Sequence, residues 1–341
     1  MSNPTPNSGS YQDLINRIGN CLTQARGQAA KQVNTVLLEA YWQIGRYIVE
    51  YEQAGQERAD YGSKLLAQLS KDLKTKYGKG FSRRNVLDMR RFYLTYPKWQ
   101  TLSAILSWSH YTELLAISDD LVRSFYEQQC IKDNWSVREL KRQKNAALFE
   151  RVALSKDRAE ILDLAKQGQQ IATAQDVVKD PYVFEFLELP ERNYRESELE
   201  QHLIQKLEQF LLELGKGFAF VGQQYRITLN NTHFYVDLVF YHRILKCFVL
   251  IDLKTRAVSH QDIGQMNLYL NYFRAEENVA DDNEPIGIVL ARDKDEILVE
   301  YATGSISNQL FVSRYQLYLP DKAELQQELQ RILQANRDNE E

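Results

Sequence analysis

The sequence predicts a two-part α+β protein: an all-α first half with a helix-turn-helix outline, then a segment whose elements run αβββαβ. Three observations carry this. Apolar residues recur at helical spacing from about residue 11 to 165. Residues 168–195 turn polar and include Pro181 and Pro190. From 196 onward, apolar runs of strand length alternate with helical stretches. The 341 residues suffice for two domains. The expected divisions are a flexible tail over 1–10, a helical domain over 11–167, a linker or docking segment over 168–195, a second domain over 196–320 and a charged C-terminal helix or tail over 321–341.

Composition is that of an ordinary soluble protein, and several classes fall away. Cys21, Cys130 and Cys247 are odd in number, widely spaced and without CxxC or histidine-pair companions, which argues against a disulfide framework or a zinc site and fits a reducing cytoplasm. MSNPTPNSGS has no basic start and no apolar core, unlike a signal peptide. No apolar stretch is long enough to span a bilayer, so no membrane association is expected. The net charge of −4 excludes a uniformly basic coat but conceals local asymmetry.

That asymmetry is sharpest in KDLKTKYGKGFSRRNVLDMRRFYLTYPK, residues 71–98, with nine basic residues against two acidic. Leu65, Leu66, Leu69 and Leu73 predict a helix over about 62–76, which YGKG breaks. Ser82 is a candidate N-cap for a second helix ending near Pro97. Two helices around a glycine-containing turn outline a helix-turn-helix. Arg83 and Arg90, like Arg84 and Arg91, are seven apart and share a helical face, a spacing that suits phosphates. With Lys79 they form one candidate nucleic-acid-binding set; a merely solvated basic face is the bland alternative. A second set, Arg138, Lys141 and Arg142, comes from WSVRELKRQKN, residues 135–145, where Ser136 and Glu139 form a capping box followed by Lys141, Arg142 and Lys144. LSWSHYTELLAI, and the stripe of Tyr41, Trp42, Ile44, Tyr47, Ile48 and Tyr51, are most simply core. A helix is expected near 150–167 and a short apolar element over Tyr182 to Leu187.

In the second half, Leu199, Leu203, Leu207, Phe210, Leu211 and Leu214 predict one helix over about 196–214 that stops at Gly215. Strands follow at 219–229, 233–241 and 247–254, the first two joined through Asn230 and Asn231. A helix over 260–273 and a buried strand over 285–291 complete the order. CFVLIDLK reads as a strand near the sheet centre, yet it carries Asp252 and Lys254 on one face, and burying charge there needs compensation. In the preceding strand Asp237 interrupts YVDLVF. A two- or four-residue loop centred between Ile244 and Leu245 would set Asp237 opposite Asp252, with side chains about 5 Å apart. Two such carboxylates repel unless a cation lies between them, and a hard divalent ion suits that role. A buried Asp–Lys ion pair is the alternative. His202, His233, His242 and His260 lack metal-ligand spacing and read as surface or loop residues.

With Asp237 on the second strand and Asp252-Leu253-Lys254 on the third, this core resembles the PD-(D/E)XK nuclease superfamily. FLLELGKGFAFVGQQYRITL, FYVDLVFYHRILKCFVLIDLKT and GQMNLYLNYF, together with LSWSHYTELL and NWSVREL, resemble the YhcG-type nucleases over nearly the whole chain. The resemblance implies a restriction-endonuclease-like domain over 196–320 that hydrolyses phosphodiester bonds, DNA favoured, with Mg2+ or Mn2+. Asp237, Asp252 and the Leu253 carbonyl would be metal ligands and Lys254 would serve the attacking water. Glu200 would be the acid of the first helix, with Glu196 and Glu198 as less favoured substitutes, and Gln265 and Tyr269 would lie beside the metal. Val236 and Leu238 flank Asp237, so the proline of the superfamily name is absent. The implied setting is phage defence or mobile-element biology, with a homodimer or a restriction-system partner left open. A non-catalytic nucleic-acid-binding or scaffolding protein of the same fold is the alternative function.

Overall fold

The computed structural model describes residues 11–54, 59–98, 105–154, 156, 158–189, 194–295 and 309–335. The tail expected over 1–10 lies outside them, as does the last part of the C-terminal segment. The chain forms two compact units, 1–123 and 124–341.

Among the described residues, the first unit is built from helices α1 (Tyr11–Ala54), α2 (Ala59–Tyr77), α3 (Arg83–Thr95) and α4 (Trp108–Leu114). The Ser82 hydroxyl accepts the Asn85 amide at 3.2 Å, satisfying an orphan donor of the first turn of α3 as expected. Leu38, Trp42, Ile48 and Val49 of α1 are buried, as are Val86, Met89 and Phe92 of α3 and Tyr111 and Leu114 of α4. Gly45 lets α1 and α3 approach, because a Cβ there would overlap the Met89 backbone carbonyl. Two residues expected in the core are not there: Tyr47 and Tyr51 are each 63% exposed. Helix α1 buries the face carrying Leu38, Trp42 and Val49, and both tyrosines lie off that face.

The second unit is built on a six-stranded sheet ordered β1-β6-β5-β4-β3-β2. Its strands are β1 (Tyr182–Val183), β2 (Phe218–Leu229), β3 (Thr232–His242), β4 (Cys247–Ala257), β5 (Ile286–Asp293) and β6 (Leu310–Gln316). Strands β2, β3 and β4 are antiparallel, and β4, β5, β6 and β1 run parallel. The four expected strands form with small shifts at their ends. Asn230 and Asn231 take positive φ, 46° and 63°, which suits a tight hairpin between right-twisted strands. Strands β1 and β6 are additions. The first is only two residues of the docking segment, and in the second polar residues interrupt a short apolar run.

The helix expected over 196–214 is two, α9 (Glu196–Gln205) and α10 (Leu207–Leu214), because Lys206 leaves the helical region at φ −111° and ψ 33°. Leu199, Leu203, Phe210 and Leu214 still pack together against one face of the sheet, on Phe240, Val249, Ile251 and Leu290. Helix α11 (His260–Tyr272) covers the opposite face with Ile263, Met266 and Leu270 on Val239, Leu250 and Val289. The central strand β4 is thus buried from both sides.

Helices α5 (Asp120–Asp133), α6 (Val137–Asn145), α7 (Leu148–Ala153) and α8 (Arg158–Gln167) precede the sheet, and the stretch expected as one helix over 150–167 is divided between α7 and α8. Residues 124–167, grouped with the N-terminal helices on sequence, cluster with the sheet. Glu213 of α10 is the tie. It pairs with Arg151 of α7 at 2.7 Å and Arg142 of α6 at 3.1 Å, accepts the Val183 amide at 3.0 Å, and its backbone carbonyl accepts from Lys179. Burial alone would raise the Glu213 carboxyl, but Arg151, Lys179 and Arg142 outweigh it and bring it down to about 2. His242, expected at the surface, is buried at the end of β3. Its Nδ1 accepts the Leu245 amide at 3.1 Å, which leaves Nε2 to donate to the Lys216 carbonyl at 3.0 Å.

Candidate active site

The site forms where β3 and β4 part. Their register runs from His242–Cys247 to Leu238–Ile251, so the loop is the four residues 243–246 and the next step sets Asp237 against Asp252. The ladder stops one step short. Asp237 turns its Oδ2 to the Leu253 amide at 2.7 Å, and a carboxylate takes the place of a main-chain acceptor.

Asp252 is 2% exposed. Burial first, and then the Asp237 carboxylate, push its carboxyl up to about 7 although the Lys254 ammonium lies beside it. Lys254 Nζ is 2.6 Å from Asp252 Oδ2, 3.2 Å from the Leu253 carbonyl to which it donates, and 3.6 Å from Glu196. Burial opposes the ammonium, but Asp252, Glu196 and Asp237 together hold Lys254 above the usual lysine range. The 2.6 Å approach meets an ion-pair distance without the directionality of a hydrogen bond, and Asp252 Oδ2 has no hydrogen-bond partner.

Glu196 and Glu200 are four apart and share a face of α9. Glu196 reaches Lys254, whereas Glu200 meets the site through Gln224, whose Nε2 donates to Glu200 Oε2 at 2.7 Å and to Asp237 Oδ1 at 3.1 Å. Glu198 instead accepts the Arg195 amide at 3.3 Å, at the start of the helix. Burial raises the Glu200 carboxyl; the Gln224 amide opposes this and Asp237 adds to it. Gln224 was not among the expected site residues. It lies in irregular backbone, with φ +47° just past the β2 bulge near Val221, so neither strand alternation nor a motif marks it.

On the other side, Tyr269 is buried. Its hydroxyl donates to the Tyr235 carbonyl of β3 at 2.9 Å and accepts from Gln265. Burial raises the phenol above its usual range, with the nearby Asp252 and Asp237 carboxylates adding to the effect. Gln265 is exposed beside it. Arg256 fixes the start of this helix through a two-pronged pair with Asp262, at 2.7 and 2.8 Å. A polar cleft of about 260 Å³, lined by Thr255, Arg292 and Arg314 among others, opens at the carboxyl ends of the parallel strands.

Among the described residues, no group of three or more His, Cys, Asp or Glu side chains is arranged as a metal cluster. The donor set nevertheless suits a hard cation. Asp237, Asp252 and the Leu253 carbonyl offer oxygen only, one buried Asp252 oxygen lacks a hydrogen bond, and the lysine ammonium already supplies positive charge there. Magnesium needs only one or two carboxylates besides water and substrate oxygens.

The two basic sets differ in what already occupies them. In the first unit Lys79, Arg83, Arg84 and Arg91 are exposed, Arg84 and Arg91 lying 3.9 and 3.8 Å from Asp88. Arg90 is committed to Glu52 of α1 at 2.7 Å. In the second unit Arg138 and Lys141 are exposed, while Arg142 is held by Glu213, Glu185 and the Phe186 ring, which occupies its guanidinium internally.

A mixed sheet between α9/α10 and α11, with two aspartates and a lysine at its central strands, defines the α+β class of restriction-endonuclease-like PD-(D/E)XK domains. Residues 175–330 match the family described as YhcG PDDEXK nuclease domain, and residues 17–151 match the DUF1016 N-terminal domain. The chain is 38% identical over 356 residues, 95% of either chain, to “Putative nuclease YhcG” of Escherichia coli (strain K12). It therefore belongs to the YhcG family of nucleases. A repair endonuclease from Pyrococcus abyssi (16% identity, TM-score 0.26) and an EndoMS complex with double-stranded DNA (18%, TM-score 0.26) each align over 39% of this chain. The chain spans about half the length of those two proteins, 50% and 49%. No described helix is long and apolar enough to cross a membrane.

Proposed function

We propose that this protein is a divalent-metal-dependent endonuclease that hydrolyses phosphodiester bonds, with DNA as the favoured substrate. The observation that carries this is the buried Asp252 carboxylate, repelled by Asp237 and balanced by Lys254, at the end of a central strand. Asp237, Asp252 and the Leu253 carbonyl would hold Mg2+ or Mn2+. When bound, such an ion lowers the pKa of a coordinated water and neutralises charge growing on the phosphate oxygens. Lys254, freed from Asp252 Oδ2, would hold the attacking water and donate toward the phosphate. Gln224 keeps Glu200 and Asp237 apart while orienting both, and Tyr269 positions the β3 backbone behind Asp237. The exposed cations Lys79, Arg83, Arg84 and Arg91 in one unit and Arg138 and Lys141 in the other would hold the nucleic-acid backbone. The cellular setting proposed is defence against phage or mobile elements, in the cytoplasm.

The test is cleavage of labelled duplex, branched and single-stranded DNA, and of RNA, by the full chain with Mg2+ or Mn2+ and after EDTA. Metal-dependent cutting of any of these by the wild type, absent in Lys254→Met, is expected. Tight binding with no cutting under any condition would favour a non-catalytic nucleic-acid-binding protein that retains the fold.

A further inference from the structure

Helix α1 is 44 residues long, and among its described residues the buried ones lie in its second half. Asn34 donates to the Leu106 carbonyl at 2.8 Å and Leu38 is buried, whereas every side chain described between Ile15 and Val33 is exposed. Most helical stability in proteins comes from packing an apolar face, and exposed side chains supply none of it. The apolar face is present. At 100° per residue, Ile15, Ile18, Leu22, Ala29, Val33, Val36, Leu37, Ala40, Ile44, Tyr47, Ile48 and Tyr51 fall within one stripe about 120° wide and about 54 Å long.

Eight large members of this stripe are 40–68% exposed. Together they present on the order of 800 Å² of side chain, the share of one partner in a standard interface. At its C-terminal end the stripe becomes the wall of a groove of about 660 Å³, where Ile44, Tyr47, Ile48 and Tyr51 face Leu65, Leu69 and Tyr77 of α2. One helix thus carries both an unsupported apolar ridge and an open apolar groove, and a second copy supplies each with its complement.

We propose that the chain is a dimer in which two α1 helices pack antiparallel along this stripe, the Ile15–Leu22 ridge of each copy lying in the α1–α2 groove of the other. The direction follows from where the two features lie along the helix. Parallel packing would set ridge against ridge, while antiparallel packing centred on Val33 lays each ridge in the other copy's groove and brings Ile15 to Tyr51 and Leu22 to Ile44.

Light scattering of the full chain reads the state without any substitution. The expected mass is twice 39.9 kDa. In a Cys21→Ser background, which removes the exposed native thiol, the Ile15→Cys/Tyr51→Cys chain should form an intermolecular disulfide on oxidation, and neither single cysteine should. Val36→Asp, at an exposed position, should shift the mass to that of a monomer. A wild type that stays monomeric at 100 μM overturns the proposal, whether or not it sediments with lipid vesicles. So does a dimer indifferent to Val36→Asp, or one cross-linked by Ile15→Cys alone.

Discussion

Asp237 Oδ2 accepts the Leu253 amide at 2.7 Å, so a side chain of β3 ends the hydrogen-bond ladder to β4 by standing in for its own backbone. The contact fixes the Asp237 carboxylate beside Asp252 and turns the strand ends into a cradle of oxygens. Asp237→Ala should free the Leu253 amide as well as remove the charge. Loss of metal-dependent cleavage should therefore come with faster hydrogen exchange at Leu253, which a variant affecting charge alone would not produce.

Metal should stabilise the wild type but not Asp252→Asn. A ligand at a hundredfold excess over its Kd contributes about 2.7 kcal/mol, or roughly 5 to 10 °C in Tm for a domain of this size. Thermal melts of both proteins with and without Mn2+ measure it. An equal rise in both would remove Asp252 from the ligand set.

Gln224 donates to Glu200 and Asp237 at once. Gln224→Leu leaves two carboxylates facing each other without a donor between them, and metal affinity or activity should fall about 10- to 100-fold, as for other residues that orient ligands. Gln224→Glu should be worse still in metal-free protein, because it adds a third negative charge. Calorimetric titration with Mn2+ distinguishes lost affinity from lost turnover.

Glu213 carries a pH dependence with a definite sign. Its folded pKa, about 2, lies below the 4.5 of an ordinary glutamate, so its contribution is fully present above about pH 4.5 and is lost as pH falls toward 2. The gap corresponds to roughly 3 kcal/mol. Glu213→Gln strands Arg151, Lys179 and Arg142 and should cost about 3 kcal/mol or more at pH 7. Urea melts at pH 7 and pH 2.5 should show the two proteins far apart at the first and closer at the second.

The basic residues of α3 should separate into two behaviours. Charge reversal at Arg83, Arg84 and Arg91 should weaken nucleic-acid binding and flatten the slope of log affinity against log salt, by about 0.9 for each duplex phosphate that is no longer neutralised. Arg90→Glu should lower the stability of the first unit, because it breaks the 2.7 Å pair with Glu52. Filter binding across a salt series, with thermal melts of each variant, distinguishes the two.

The sequence by itself determined the elements that rest on local periodicity and turn chemistry: Ser82 at the head of α3, the Asn230-Asn231 turn, and a loop centred between Ile244 and Leu245 that sets β3 against β4 in register. It also singled out Asp237, Asp252 and Lys254, because a charge inside a buried strand conflicts with its surroundings and the conflict is visible in one dimension. Only the tertiary structure decided the rest. Gln224 became part of the site through a bulge, Arg142 was drawn inward by Glu213, Glu196 and Glu200 were given separate partners, and Tyr47 and Tyr51 were left outside. Periodicity says that a face is apolar or that a side chain is charged. Whether another element packs on that face or answers that charge depends on contacts between residues far apart in the chain, as between Arg142 and Glu213.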